Sequence, residues 1–272
     1  MDAVGKGWAK GLTAASDPRV LRAAAGHRGL TYTAHLTPER DRRRVSPPVP
    51  TTWSPTLAYA VGLIATDGCL TGGDTIAFTS ADRELVQILL RCLRKSNRVS
   101  SSPTRTGGVV YRAQIGDVAL YRWLVGIGVT PRKSFTIGAV DIPDALFLHF
   151  VRGLLDGDGS IMNKVARADT GRRSDYYWEY LQTKFVSASR EHVEWLRERL
   201  RAIAGVEGYM MKRTATPGHG ECYALRFGKT TSVRLLPLLY ADPIAPRLSR
   251  KWEIWARYAQ RHDLDPHGRS TC

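Results

Sequence analysis

Tyr59-Ala60-Val61-Gly62-Leu63-Ile64-Ala65-Thr66-Asp67-Gly68 is echoed further along the chain by Phe150-Val151-Arg152-Gly153-Leu154-Leu155-Asp156-Gly157-Asp158-Gly159. Each stretch is an apolar run of helical character that ends in an acid followed by glycine. Ala58, Gly62 and Thr66 recur at i, i+4 and i+8, so they share one narrow helix face. Gly153 and Gly157 make the same face in the second copy. A glycine inside a helix costs about 1 kcal/mol against alanine, so it needs a packing reason, and close approach of two backbones supplies one. Leu57, Val61, Leu63 and Ile64, and Phe150, Val151, Leu154 and Leu155, then face the cores of two units. Gly68 and Gly159 are expected as helix C-caps with positive φ.

Two such helices packed together bring Asp67 and Asp158 side by side at their C-terminal ends. The carboxylates and the negative helix ends repel, and a divalent cation is the natural compensation. Mg²⁺, with Mn²⁺ as the substitute, takes one or two carboxylates and fills its shell with water and phosphate oxygens. That chemistry is metal-assisted phosphodiester hydrolysis. For either motif alone, a buried helix with a solvated capping acid explains the residues equally well; the pairing is what favours a site.

Composition points the same way. Of 272 residues, 40 are Lys or Arg and 25 Asp or Glu, a net charge of +15 that calls for a polyanionic partner, most often nucleic acid. No apolar run approaches the roughly 18–20 residues of a membrane span, and the first residues lack a secretory apolar stretch. Cys69, Cys92, Cys222 and Cys272 are scattered, and His219 with Cys222 has no second ligand pair, which argues against zinc. The expectation is a cytoplasmic protein with reduced thiols, nucleoid-associated in a bacterium.

The rest of the chain reads as two copies of one unit. After the first motif come a strand at Thr75–Thr79, a helix through Leu85, Ile88, Leu89 and Leu93, a strand at Val109–Gly116 and a short helix at Leu120–Val125. After the second come a strand at Tyr180–Ser187, an amphipathic helix at Ser189–Ile203, a strand at Tyr223–Gly228 and a helix at Val233–Leu239. Lys133 and Lys251 stand late in their respective copies. Asp67 and Asp158 are 91 positions apart but Lys133 and Lys251 are 118, so the second copy is longer, with the growth placed in loops at 163–177 and 214–221. The expected fold class is α+β, two pseudo-symmetric repeats of αββαββα type sharing the motif-helix interface formed by Ala58, Gly62 and Gly153. The expected division is a basic arm and Pro-rich linker at 1–52, repeats at 53–143 and 144–260, and a frayed tail at 261–272. Strand alternation places Arg112 and Gln114, Gln182 and Lys184, and Arg226 on open sheet faces, where Arg and Gln can read base edges. Lys212 and Arg213, with Lys184, are candidate phosphate contacts. Residues 1–52 hold nine Lys or Arg against four acids, with a basic knot at Arg40, Arg42, Arg43 and Arg44 before Pro47-Pro48-Val49-Pro50. An accessory DNA-binding arm and a basic tail fit them equally well.

The paired motifs resemble the LAGLIDADG homing endonucleases in their two-motif, single-chain form, over roughly residues 57–258. The resemblance implies antiparallel sheets forming a saddle over double-stranded DNA, helices behind, and a monomer with a pseudo-twofold axis. It implies Asp67 and Asp158 as metal ligands, with the adjacent backbone at Thr66 and Gly157 contributing, and Lys133 and Lys251 beside the active site. Arg132 and Arg250 are adjacent, which leaves a one-residue slip open. Asp156 matches an earlier motif acid for which the first copy has Ala65. The implied function is sequence-specific cleavage of an asymmetric DNA site with short 3′ overhangs. Non-cleaving relatives of this fold, intron RNA-binding maturases and DNA-binding regulators, form the alternative class; the presence of both acids argues against a degenerate regulator. An intein is disfavoured because the chain has no splicing-type N-terminal block and no terminal His-Asn.

Overall fold

The structure, a computed structural model, describes residues 47–167, 177–213 and 221–268. The expected helix at Val20–Ala25, the basic knot and nearly all of the arm lie outside them. Within the first repeat, α1 (Pro55–Asp67) leads into β1 (Gly68–Thr71) and β2 (Thr75–Ser80), then α2 (Arg83–Cys92), β3 (Ser100–Pro103), β4 (Val109–Gly116) and α3 (Val118–Gly126). The second repeat runs α4 (Phe147–Asp156), β5 (Ser160–Arg167), β6 (Tyr177–Ser187), α5 (Arg190–Ala204), β7 (Tyr209–Arg213), β8 (Cys222–Phe227), α6 (Lys229–Leu239) and α7 (Ser249–Arg261). Each repeat is thus αββαββα, with α7 appended to the second. Both antiparallel sheets have the same strand order, β1-β2-β4-β3 and β5-β6-β8-β7, and the four strands of each are laid out as the repeat hypothesis requires.

Helix α1 starts cleanly because Ser54 Oγ accepts the Leu57 amide at 3.2 Å and Pro55 occupies the first turn. Every residue from Leu57 to Ala65 is buried, which is why this helix is apolar all round rather than striped. Helix α4 is likewise buried from Phe150 to Asp156. The two cross at Gly62 and Gly153. A Cβ on Gly62 would sit 2.2 Å from the Phe150 carbonyl oxygen, and one on Gly153 would sit 2.3 Å from the Tyr59 oxygen. The contacts are reciprocal, as a pseudo-twofold axis demands. Ala58 is fully buried alongside, and a Cβ on Gly157 would strike the Thr66 side chain.

Several expectations need correction. Gly68 has φ −82° and Gly159 is not among the positive-φ glycines. Both are glycine for lack of room: a Cβ would lie 2.5 Å from the Ile64 oxygen at Gly68 and 2.7 Å from the Leu155 oxygen at Gly159. At Gly68 the chain passes straight from helix into strand, and before Gly159 a turn at Gly157 and Asp158 intervenes. Strands β1, β3, β5 and β7 were not expected. Asn163–Arg167, assigned to a loop, instead pairs with Tyr177–Leu181; Ser100–Pro103 lacks alternation because all four residues are exposed. The turn between β5 and β6, residues 168–176, and residues 214–220 lie outside the described set. The stretch expected to fray from 261 is held at its start: α7 runs to Arg261, buries Tyr258 and Ala259, and Trp255 Nε1 donates to the Pro266 carbonyl at 3.0 Å.

Candidate metal and nucleic-acid site

Asp67 ends α1 and Asp158 follows the end of α4, so the reciprocal crossing delivers both acids to one place. Asp67 is half-buried, and burial followed by the charge of Asp158 pushes its carboxyl up to about 7, with Lys251 and Lys133 pulling the other way. Asp158 reaches solvent, yet the protein packed around it also raises its carboxyl, again opposed by Lys133 and Lys251. Each acid thus stands within the field of both lysines. A cleft of about 30 Å³, room for a water, borders Asp158, Thr66, Ser187 and His192.

The lysines occupy matching places, and what they hold settles their register. Lys133 Nζ donates to the carbonyls of Thr66 at 3.1 Å and Gly68 at 2.5 Å. Lys251 Nζ donates to the equivalent Gly157 at 2.9 Å and Gly159 at 2.7 Å, and also to Leu155 and Asp156 at 2.6 and 2.8 Å. Arg250, next to Lys251, is turned to Asp82 instead and pairs with it at 2.7 Å. Both ammonium groups are buried and close the unpaired carbonyl ends of the motif helices. Burial lowers Lys133 and brings Lys251 down to about 8. The Thr66 and Gly157 carbonyls, expected as metal ligands, therefore already accept lysine, leaving one lone pair each.

Asp156 has no exposure at all. Its Oδ2 accepts the Tyr59 hydroxyl of α1 at 2.7 Å and the Leu248 amide at 2.8 Å, the residue that caps α7. Among the described residues, its Oδ1 has no hydrogen-bond partner, and neither do the buried Tyr240 hydroxyl and Arg152 Nε. Nothing in the single motif announced this bond, but the comparison of repeats carried a signal. Tyr59 and Asp156 correspond to Phe150 and Ala65, so the symmetry-related pair that lacks the acid also lacks the hydroxyl.

The open sheet faces are unlike. Arg112 and Gln114 are exposed on β4, as alternation placed them. Gln182 is not offered to solvent: it is 4% exposed and its amide donates to the Tyr180 hydroxyl two residues along the same face. Lys184 is half-buried on a rung with Ser160, Arg226 and Tyr209. Arg226 is partly committed, to Met211 Sδ at 2.8 Å and the Tyr180 hydroxyl at 3.2 Å, and lies over the Tyr209 ring. Lys212 forms an exposed ion pair with Glu221 at 2.7 Å, a weak tether. Arg213 ends β7, and its side chain lies outside the described residues. The matching rung in the first sheet is Cys69, Ala77 and Gln114, uncharged where the second carries two cations.

Among the described residues no helix is long and apolar enough to cross a membrane, and no group of three or more His, Cys, Asp or Glu gathers into a metal cluster. No protein-family model matches the chain and no curated protein matches it. Solved structures do. The meganuclease I-SmaMI bound to uncleavable DNA with a TTCT central four is 14% identical with a TM-score of 0.52, over 79% of this chain and 95% of that one. LAGLIDADG meganuclease I-AabMI bound to uncleaved DNA is 15% identical with a TM-score of 0.51, over 78% and 91%. The I-LtrWI LAGLIDADG homing endonuclease bound to target DNA is 7% identical with a TM-score of 0.51, over 77% and 91%. The chain spans 63% of the length of full-length WhiA from Thermatoga maritima, with a TM-score of 0.47. At these identities the likeness is one of architecture, and the chain has the two-repeat LAGLIDADG fold.

Proposed function

We propose that this chain is a monomeric, sequence-specific endonuclease that hydrolyses both strands of duplex DNA at a long asymmetric site, with a divalent cation, leaving short 3′ overhangs. The observation that carries the proposal is the pair of acids, Asp67 and Asp158, set by a reciprocal helix crossing between two buried lysines. Two carboxylates whose ionisation is opposed by burial and mutual repulsion form a hard-oxygen site that Mg²⁺ or Mn²⁺ suits. Asp67 and Asp158 would hold the ion, which lowers the pKa of its water and offsets charge on the phosphate oxygens. Lys133 and Lys251 fix the carbonyl ends of the motif helices and contribute positive potential beside the phosphate. The sheets would lie along the major groove, with Arg112 and Gln114 reading one half-site and Lys184 and Arg226 the other. Their unlike chemistry at matching rungs supports an asymmetric target, one half for each of residues 53–143 and 144–260. The +15 charge supports tight, salt-sensitive binding. Selection from a randomised duplex library in the presence of Mg²⁺ tests the proposal: recovery of one long, non-palindromic cut site supports it, and recovery of bound but uncut duplexes overturns it.

A further inference from the structure

We infer that Asp156 is a positioning residue that locks Lys251 beneath the second half of the paired-acid site, and that the first half works without this lock, so the two DNA strands depend on Asp156 unequally. The strand claim rests on the endonuclease reading; the positioning claim does not. The chain of contacts is short. Asp156 Oδ2 accepts the Leu248 amide at 2.8 Å, Leu248 caps α7, and Lys251 lies in the first turn of that helix. Lys251 Nζ then spans four carbonyls, from Leu155 through Gly159, on either side of Asp158. The same oxygen takes the Tyr59 hydroxyl, so one carboxylate ties both motif helices to the lysine-bearing helix.

The symmetry-related positions are Ala65 of the first repeat and Phe150 of the second, both buried and apolar, and Lys133 sits in a turn rather than a helix, bound to two carbonyls. The pseudo-twofold axis therefore relates a hydrogen-bonded lock to a purely packed contact. A lone acid lost by drift would leave a tyrosine hydroxyl facing nothing. Misplacing a group beside a reacting centre by about 1 Å can lower a rate about a hundredfold.

The test uses Asp156→Leu, which is near in size but can accept neither the Leu248 amide nor the Tyr59 hydroxyl, and Tyr59→Phe/Asp156→Ala, which copies the apolar pair Phe150 and Ala65 of the symmetry-related positions. Acetic anhydride labelling read by mass spectrometry reports each lysine. The expectation is that Lys251 becomes at least about tenfold more reactive in both variants while Lys133 is unchanged. Equal protection of Lys251 in wild type and the double variant overturns the positioning claim whether or not the protein cuts DNA. On a selected duplex labelled separately on each strand, one strand should slow at least about tenfold more than the other. Equal slowing of both strands overturns the inequality, as global destabilisation would produce that result. A wild type that cuts neither strand removes the endonuclease reading and leaves the lysine labelling to decide the lock.

Discussion

Replacing Gly62 by alanine should destabilise the protein although alanine is the better helix former. The new Cβ would stand 2.2 Å from the Phe150 carbonyl oxygen and 2.9 Å from Gly153 Cα, both backbone atoms that no rotamer change can move. Relief requires α1 and α4 to part by about 1 Å along an interface packed at interior density. Overpacking of this kind costs about 1–3 kcal/mol, and the backbone-to-backbone clash places Gly62 at the upper end. Alanine returns about 1 kcal/mol of helix propensity, leaving a net loss of about 2 kcal/mol. For a protein of this size that lowers the melting temperature by roughly 4–8 °C. Gly126→Ala is the internal control: Gly126 ends α3, and an added Cβ meets nothing within 4 Å. It should melt about 2 °C or more above wild type. Differential scanning calorimetry of the two variants reads both. If Gly62→Ala melts at or above wild type, the glycine crossing does not hold the motif helices together and the reasoning about the site fails with it.

Lys251→Met should lose more stability than Lys133→Met in urea titration, because it strands three buried carbonyls and one part-buried rather than one of each, at about 1 kcal/mol for each buried one. The folded-state pKa of Asp67 is raised to about 7 from 3.8. Its contribution to stability is therefore full below pH 3.8 and is lost as pH rises through about 7. The thermal stabilisation given by added Mg²⁺ should grow across that same window, and a Mg²⁺ shift equal at pH 5 and pH 8 would contradict it. Arg112→Ala should weaken binding to a selected duplex by about 1–3 kcal/mol and relax specificity at one base pair. Gln182→Ala should leave specificity unchanged by the same selection, since its amide is covered and bound to the Tyr180 hydroxyl.

The fold was legible because the two motifs carry their packing in their composition: Gly62 and Gly153 sit in helices with no other use for glycine, and the strict αββαββα order repeats around them. The pairing of the two acids followed from the same repetition, while the register of the lysines stayed open to a slip onto Arg132 and Arg250. What the residues hid depends on long-range contacts. β3 is four exposed residues with no alternation, recognisable only through pairing with β4. β5 reads as loop because its outer half, Asn163–Arg167, is largely solvated. Gln182 obeys the period of two yet is covered by Tyr180 on its own strand, a burial that alternation cannot distinguish from exposure. The Asp156 bond to Leu248 spans 92 positions and leaves no local trace, while the exchange with Ala65 and Phe150 marks only the Tyr59 contact.

The most direct test of the paired-acid account is cleavage and binding of one selected duplex, with Mg²⁺, by wild type, Asp67→Asn, Asp158→Asn and the double variant. Asparagine keeps the shape of each side chain and removes its charge. The account predicts double-strand cleavage by wild type, none by the double variant, and binding by the double variant at least as tight as wild type because two negative charges have left the phosphate-facing surface. Undiminished cleavage by the double variant would contradict it.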